Sequence, residues 1–286
     1  MTHNFICLSC SIMETSISYL AQDPIFEWEK PFDTDVPVDH IPRARAANHK
    51  NDEREVTVFP IIDATQWDLE KHGFCFIKAT TGLTAEDALT RKEEVQKDYW
   101  YEIEALLHQR FPQYSRIECY DCTVRKRDPD FPANIRLYAK VEQPARRPHS
   151  DCSPRGAHLN LDHAFPGQQE FWQGKDFDIL NVWRPLRGPN NDWPLAMCDW
   201  TTINPLTDIR VNDAIRRDRV DENAILHYNE KHRWYFMRDQ SVEDLIVFRN
   251  ADSMGKRAQG FHCAIFNPEA NGQLRESVEV RCVAFR

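Results

Sequence analysis

The 286-residue sequence lacks the features of several broad protein classes. Its formal net charge is −9, whereas proteins that bind nucleic acid need an excess of Lys and Arg to neutralise phosphates. No apolar run reaches the roughly 18 residues that a membrane-spanning helix requires. The opening MTHNFICLSCSIMETSISYL has neither the basic start nor the small-residue cleavage site of a signal peptide. Composition therefore predicts a cytoplasmic protein that binds neither nucleic acid nor membrane.

Glycine is scarce as well, with nine residues in the whole chain. The sequence has no glycine-rich turn between a strand and a helix, which argues against an adenosyl cofactor and hence against a methyltransferase. It also has no internal repeat, low-complexity segment or clear linker. We expect one domain over residues 56–286, preceded by a tail and a Pro- and charge-rich extended arm over residues 1–55. Phe26, Trp28 and Phe32 are expected to anchor that arm.

The start of the chain and the cysteines support less specific predictions. Met13 can serve as a second start, in which case residues 1–12 are dispensable. The nine scattered cysteines are odd in number and predict free thiols in a reducing compartment. The pairs Cys7/Cys10 and Cys119/Cys122 have the composition of a zinc site. On a strand, however, residues three apart face opposite sides, which argues against that site.

Periodicity predicts a mainly β protein with a helical front (α+β). Thr84 is a good helix N-cap, with Asp87 at the capping-box position, and the helix is expected to run from about residue 85 to about residue 110, before Pro112. After Ser115 short β-rich runs alternate with polar turns, which predicts a sandwich or jelly roll over about residues 115–286. The residues expected on the buried face of the helix are Val95, Tyr99, Ile103, Leu106 and Leu107.

The stretch RPHSDCSPRGAHLNLDH contains a candidate metal site. His149 and Asp151 are two residues apart, so on a strand they point to the same side. Two histidines and one carboxylate on one face form the facial triad of non-haem Fe(II) oxygenases. A buried polar pair and a chance surface pair stay as alternatives.

A third ligand has to come from a distant strand. His262, which opens a β-rich run near the carboxyl terminus, is the best candidate. His163 stays open although it lies near His149 in sequence. His227 and His232 are further alternatives, although a structural hydrogen bond or an aromatic stack suits His232 better.

The last predicted strand, RESVEVRCVAF, separates two kinds of side chain. Arg275, Ser277, Glu279 and Arg281 share one face, and apolar residues share the other. Guanidinium groups beside a hydroxyl are suited to a carboxylate, such as the C5 carboxylate of 2-oxoglutarate. The alternative is a surface strand with alternating charges.

Two further stretches are candidates for binding the substrate. In NVWRP, Asn181 and Trp183 face together and Arg184 faces away, so that Arg184 is either a substrate ligand or a structural salt bridge. Arg125 in TVRKR is a candidate for a substrate carboxylate, or else part of a solvated basic run.

Taken together, these motifs resemble a family of fungal and bacterial hydroxylases and desaturases. That group includes gibberellin desaturases, aspergillic-acid-type hydroxylase/desaturases, the cephem 7α-hydroxylase component and a fungal enzyme that closes an aziridine ring on valine. The resemblance covers nearly the whole chain from Met13. It is carried by the stretches LEKHGFCFIK, CTVRKR, HSDCSP, NVWRPLRGPNNDWPLAMCD, HRWYFM, DLIVFRNADS, FHCAIFNP and RESVEVRCVAF.

The resemblance implies a double-stranded β-helix (jelly roll, cupin-like) that uses Fe(II), 2-oxoglutarate and O₂. It implies His149, Asp151 and His262 as metal ligands and Arg275, beside Ser277, as the 2-oxoglutarate anchor. Arg281 also matches the family pattern, so both arginines stay open.

The implied reaction is hydroxylation, desaturation or oxidative cyclisation at an unactivated C–H bond of a small specialised metabolite. An amino acid or a compound derived from one is favoured over a terpenoid. The sequence CSPRGAHL after Asp151 departs from the group's usual pattern. A monomer or weak homodimer is expected. A non-catalytic cupin-like binding protein and a zinc-dependent hydrolase on the same ligands are the alternatives.

Overall fold

The computed structural model describes residues 12–133, 141–270 and 272–286, which form fourteen strands and five α-helices. The helices are α1 (Leu69–His72), α2 (Ala85–Thr90), α3 (Lys92–Arg110), α4 (Pro154–Ala164) and α5 (Pro205–Asp208). The strands are β1 (Met13–Leu20), β2 (Phe32–Thr34), β3 (Asn51–Pro60), β4 (Phe74–Lys78), β5 (Arg116–Lys126), β6 (His149–Ser150), β7 (Phe177–Pro185), β8 (Leu195–Cys198), β9 (Ile209–Ile215), β10 (Val220–Leu226), β11 (Trp234–Phe236), β12 (Asp244–Asp252), β13 (His262–Ala264) and β14 (Glu276–Phe285). None of the helices in these ranges is long and apolar enough to cross a membrane.

The strands form two sheets with an apolar layer between them. The larger sheet has the order β1-β3-β11-β8-β13-β6-β10-β9-β2, and the smaller has the order β4-β12-β7-β14-β5. Leu195 and Met197 of the larger sheet pack against Trp183, Ile246 and Phe248 of the smaller one. We call the side of the smaller sheet that faces this layer its inner face.

The predicted helical front is confirmed on the outer face of the smaller sheet. The Thr84 side chain accepts a hydrogen bond from the Asp87 amide and begins α2. Arg91 leaves the helical conformation, so the single helix expected over about residues 85–110 is two helices. The predicted face of α3 packs against Val278, Val280 and the rest of the apolar side of β14.

Several elements were not predicted. β1 pairs along its whole length with β3, and β2 pairs with β9, so the expected arm contributes β1, β2 and the first part of β3 to the larger sheet. The domain boundary expected after residue 55 stays a prediction. Trp28 was expected to anchor the arm, but its side chain is 86% exposed because it follows a short 3-10 turn on the surface. Residues 134–140, part of the region after Ser115 that was predicted to be β-rich, lie outside the described residues, as do Cys7 and Cys10.

Helix α4 interrupts the β-rich region directly after the candidate metal site. The Ser153 side chain caps the helix by accepting a hydrogen bond from the Gly156 amide, and Pro154 occupies its first turn. Ala157 and Leu161 then pack beside Phe177 and Val283 at one end of the inner face. α4 therefore closes the end of the space between the sheets that lies next to Asp151.

Two bulges in the smaller sheet change which side chains face inward. In β5, Asp121 pairs with Arg281 while Cys119 pairs with Cys282, so Tyr120 is an extra residue. Cys119 and Cys122 therefore share the outer face, although regular alternation predicted opposite faces. In β12, the pairing with β7 skips Asn250 in the same way.

Gly260 positions the strand that carries His262, and its replacement by alanine is expected to be destabilising. A Cβ atom at residue 260 would lie 2.6 Å from the Phe248 Cβ and 2.9 Å from the Gly73 carbonyl oxygen. Overpacking of this kind costs about 1–3 kcal/mol. We expect the melting temperature of Gly260→Ala to fall by roughly 2–10 °C in differential scanning calorimetry.

Gly82→Ala is the matched control for this measurement. Its Cβ atom would meet only the end of the flexible Glu102 side chain, so its melting temperature should stay close to that of the wild type. An unchanged melting temperature for Gly260→Ala would show that the β13 region adapts without strain.

A candidate metal centre between the sheets

Three potential ligands converge at the inner edge of the larger sheet. One ligand atom from each of His149, Asp151 and His262 lies within 4.8 Å of the other two. The His149 Nε2 is 3.3 Å and the His262 Nε2 is 3.9 Å from the Asp151 Oδ1. The two imidazole rings have centroids 4.4 Å apart. The three side chains predicted to act together are thus brought together.

The β pairing explains this convergence. His149 of β6 lies directly opposite His262 of β13 in the antiparallel register, so the two side chains project from the same face. Nδ1 of His149 lies 2.7 Å from the Arg147 carbonyl oxygen, and Nδ1 of His262 lies 2.9 Å from the Gly260 carbonyl oxygen. Because a carbonyl can only accept, Nδ1 carries the proton in the neutral form of each ring, which leaves Nε2 with a lone pair.

The electrostatic surroundings favour the protonation states that bind a metal. Burial opposes ionisation of Asp151, but Arg281 and the two histidines hold the pKa of its carboxyl group well below the usual range. Burial, followed by repulsion from His149, lowers the pKa of His262 to about 3. An ionised carboxylate and a neutral imidazole are the forms that bind divalent cations.

The second oxygen of Asp151 is held by groups from the smaller sheet. The Asp151 Oδ2 accepts hydrogen bonds from the Asn181 Nδ2 at 2.6 Å and from the Arg281 Nη2 at 2.8 Å. The amide of Asp151 donates to the Asn250 Oδ1 at 3.0 Å. These contacts leave Oδ1 facing the imidazoles. Asn250 was missed by the sequence analysis because its orientation depends on the bulge in β12.

Arg275 lies deeper in the same space. Its guanidinium group is 2% exposed, donates to the Ser277 Oγ at 3.2 Å and to the Trp193 carbonyl oxygen at 2.7 Å, and lies 5.0 Å from the Trp183 ring centroid. Burial and the nearby charge of Arg125 lower its pKa to about 9. Within the described residues no carboxylate lies within 4.0 Å of this guanidinium group. Arg275 therefore has capacity for an anion.

The sequence analysis left two arginines open, and they have different surroundings: Arg275 directly precedes β14, and Arg281 lies within it. The Arg281 guanidinium is committed to the Asp151 carboxylate and lies 3.5 Å from Asp121. The Arg275 side chain shares a small cavity with both candidate histidines and with Glu279. This difference favours Arg275 for a ligand and Arg281 for holding Asp151.

A larger cleft of about 680 Å³ opens the centre to the surface. It is bordered by His149, Asp151 and Arg125, and by strands β9 and β10. Arginines and acidic residues occur in equal numbers along its wall. The arginines are Arg125, Arg146, Arg147, Arg216, Arg219 and Arg281, and the acids are Asp33, Asp35, Asp121, Glu142, Asp151 and Asp221.

The candidate substrate residues divide between the two faces of β7. Asn181 and Trp183 are buried on the inner face, as their alternation predicted. Arg184 lies on the outer face, where its guanidinium donates to the Tyr99 hydroxyl at 3.1 Å and to the Leu83 carbonyl at 2.7 Å. These contacts favour the structural alternative for Arg184, in which it tethers β7 to the helical layer.

The other histidines considered as a third ligand have separate contacts. His232 lies 3.1 Å from Asp208, and His227 lies 2.9 Å from the Leu20 carbonyl oxygen. His163 on α4 contacts Arg219 at 3.2 Å. None of these three belongs to the group formed with His149 and Asp151.

Comparison with known proteins agrees with this arrangement. The family model described as "Oxidoreductase/YMDC permease-like domain" matches residues 17–285. The Fe(II)/2-oxoglutarate-dependent dioxygenase nvfI of Aspergillus novofumigatus is 29% identical over 232 residues, which is 77% of this chain and 78% of that protein. The hydroxylase/desaturase efuI of Hormonema carpetanum is 26% identical over 240 residues, 77% of this chain and 79% of that protein.

A solved structure extends the similarity to three dimensions. The iron and alpha-ketoglutarate-dependent endoperoxidase NvfI is 25% identical, with a TM-score of 0.81 over 96% of this chain and 98% of its own. The family match and these similarities confirm the expected fold and enzyme class. The chain belongs to this oxidoreductase family and is a jelly-roll, non-haem Fe(II)/2-oxoglutarate-dependent oxygenase.

Proposed function

We propose that this oxygenase holds Fe(II) with His149, Asp151 and His262 and oxidises an unactivated C–H bond of a small, amino-acid-like specialised metabolite. The observation that carries the proposal is the convergence of two Nε2 atoms and one carboxylate oxygen beside an open cleft. Hydroxylation, desaturation and oxidative cyclisation all begin at such a bond. The proposal covers all three outcomes.

The residues present fit an Fe(II) ion and its cosubstrate. Two neutral imidazoles and one carboxylate are the donor set that suits this cation, and grouping them on one side leaves room for further ligands. Arg275, paired with the Ser277 hydroxyl, offers a fork that matches the distal carboxylate of 2-oxoglutarate. Bound Fe(II), 2-oxoglutarate and O₂ supply the oxidising power for C–H cleavage, which side chains cannot provide.

The chain's own residues then orient the metal ligands and bind the substrate. Asn181 and Arg281 restrain the Asp151 carboxylate, and the Trp183 ring lies against the Arg275 guanidinium. The cleft directs the substrate toward the ligand set. Because small displacements at a reacting bond change rates strongly, the wall of the cleft decides which hydrogen is removed.

The charges in the cleft support an amino-acid-like substrate. Arginines and acids occur in equal numbers on its wall, so it can bind a molecule that carries both signs. A hydrocarbon-rich terpenoid would leave these groups desolvated and unpaired, which is unfavourable. We also infer a cytosolic enzyme that acts as a monomer or weak homodimer, consistent with the unpaired cysteines of the described chain.

Oxygen consumption coupled to succinate release tests the proposal. The purified protein with Fe(II) and 2-oxoglutarate is given a panel of amino acids and terpenoid acids, and we expect stimulation by one or more amino acids. Absence of O₂ uptake, together with absence of the anaerobic charge-transfer band of Fe(II) with 2-oxoglutarate, would indicate the cupin-like binding protein. Hydrolysis of esters or amides of the panel compounds by the Zn(II)-loaded protein, without O₂ uptake, would indicate the zinc-dependent hydrolase.

A further inference from the structure

Glu279 is a carboxylate inside the catalytic space that none of the contacts described so far uses. It projects from β14 between Ser277 and Arg281 and lines the small cavity with both candidate histidines and Arg275. Within the described residues it makes no hydrogen bond and has no ion pair within 4.0 Å. The residue is nevertheless partly exposed, and it lines that cavity of about 10 Å³. Burial raises the pKa of Glu279 to about 7, and a donor or a cation from outside the protein would stabilise its ionised form.

Arg125 lies beside Glu279 on the neighbouring strand. In the antiparallel register Arg125 pairs with Ser277 and Thr123 pairs with Glu279, so Arg125 and Glu279 are diagonal neighbours on the inner face. Such neighbours have Cα atoms about 7–8 Å apart, within reach of one small molecule. Arg125 lines both the small cavity and the large cleft, and its observed bonds to Gln143 and Glu142 use Nη1 alone. Its remaining N–H groups are available to a ligand.

The charged residues of the inner space favour a ligand that carries both a positive and a negative charge. A bound divalent cation and the two carboxylates of 2-oxoglutarate cancel. The arginines Arg125, Arg275 and Arg281 share this space with four acids, of which Glu142 pairs with Arg125 at 2.8 Å and Asp121 lies 3.5 Å from Arg281; the other two are Asp151 and Glu279. A zwitterion can pair with groups of both signs. A simple carboxylate would leave Glu279 without a donor, and a simple amine would leave the remaining N–H groups of Arg125 unpaired, which is unfavourable in a desolvated space.

We propose that Glu279 and Arg125 form the substrate subsite beside the metal, where Glu279 binds the ammonium group and Arg125 the carboxylate of an α-amino acid. The inference rests on the proposed function and deepens it by naming the two charged groups that the substrate presents. Glu279 is then a specificity residue, and Arg275 remains the partner of the cosubstrate.

The test is a binding measurement that does not require turnover. Under anaerobic conditions the protein is loaded with Fe(II) and 2-oxoglutarate, and loading is checked by the visible charge-transfer band. Calorimetry then measures binding of aliphatic α-amino acids, of the matching carboxylic acids without the amino group, and of the matching amines without the carboxylate. The same titrations are run on Glu279→Gln, which keeps the shape and removes the charge. Glu118→Gln, on the distant part of β5 and paired with Arg116, is the control.

We expect the wild type to bind at least one amino acid about 10- to 100-fold more tightly than its two analogues, the factor that a charge-assisted hydrogen bond supplies. Glu279→Gln should no longer prefer the amino acid to the matching carboxylic acid without the amino group, while its affinity for 2-oxoglutarate stays unchanged. Glu118→Gln should behave as the wild type. The proposal is overturned if no amino acid is preferred, or if Glu279→Gln keeps the preference. It is equally overturned if Glu279→Gln weakens 2-oxoglutarate instead, because Glu279 would then act on the cosubstrate. Absence of the charge-transfer band in the wild type would reject the proposed function itself, independently of the amine result.

Discussion

Substituting Asp151 with alanine is expected to reduce succinate release by about 100-fold or more. The side chain is the only anion within the ligand group, and one of its oxygens faces both imidazole Nε2 atoms. Structural zinc sites contribute roughly 10–16 kcal/mol over about four ligands, and in the same proportion one ligand accounts for roughly 3 kcal/mol, or two orders of magnitude. His149→Ala should have a similar effect because it also removes one ligand of three.

The measurement has to separate loss of metal from loss of fold. Asp151→Ala leaves Arg281 without its main partner, and breaking a buried pair is itself destabilising. Asp151→Asn keeps an acceptor for Arg281 and Asn181 and removes only the charge, so it should stay folded by circular dichroism and still bind Fe(II) poorly in equilibrium dialysis. His108→Ala, an exposed residue of α3, is the control for histidine removal. Undiminished succinate release by folded Asp151→Ala would end the ligand assignment.

The sequence predicted the ligand set because its geometry is local. The spacing of His149 and Asp151 needs only a strand end to bring both side chains to one side. The alternation along β14 likewise assigned Arg275, Ser277 and Arg281 to one face without knowledge of the partner strands. His262 was harder, since its pairing with His149 is a contact between residues more than a hundred positions apart. The resemblance to a known family provided that link.

The side-chain contacts around the candidate metal ligands could not be predicted from the sequence in the same way. The Asn250 side chain reaches Asp151 only because β12 contains an extra residue, and no alternation pattern reveals a bulge. The same effect puts Cys119 and Cys122 on one face. Helix α4 was missed because the sequence analysis described the whole region after Ser115 as short β-rich runs separated by polar turns. Arg184 was left undecided because its burial depends on Tyr99 of a distant helix.

Because Arg275 and Arg281 have different contacts, replacing Arg275 is expected to have a second large effect, on the requirement for 2-oxoglutarate. Arg275→Ala is expected to raise the 2-oxoglutarate concentration for half-maximal activity by roughly 10- to 150-fold, which corresponds to about 1.5–3 kcal/mol for hydrogen bonds to a charged group. Arg275→Lys keeps the charge but loses the planar fork, so a smaller increase is expected. The Ser277 hydroxyl and the Trp183 ring would still line the space in both variants.

A 2-oxo acid without the distal carboxylate makes this prediction specific. The wild type should strongly prefer 2-oxoglutarate to 2-oxobutyrate, and Arg275→Ala should lose most of that preference because 2-oxobutyrate never contacts the guanidinium. Arg281→Ala should keep the preference and instead lower the affinity for Fe(II) by about 10- to 100-fold, the usual effect of removing a group that orients a metal ligand. The opposite pattern, in which Arg281→Ala loses the preference and Arg275→Ala keeps it, would mean that the buried guanidinium beside Trp183 is structural and that the cosubstrate extends toward Asp121. Both variants keep β14 paired on both sides, since the hydrogen bonds of a strand come from its backbone, so a comparison of the two reports on the side chains themselves.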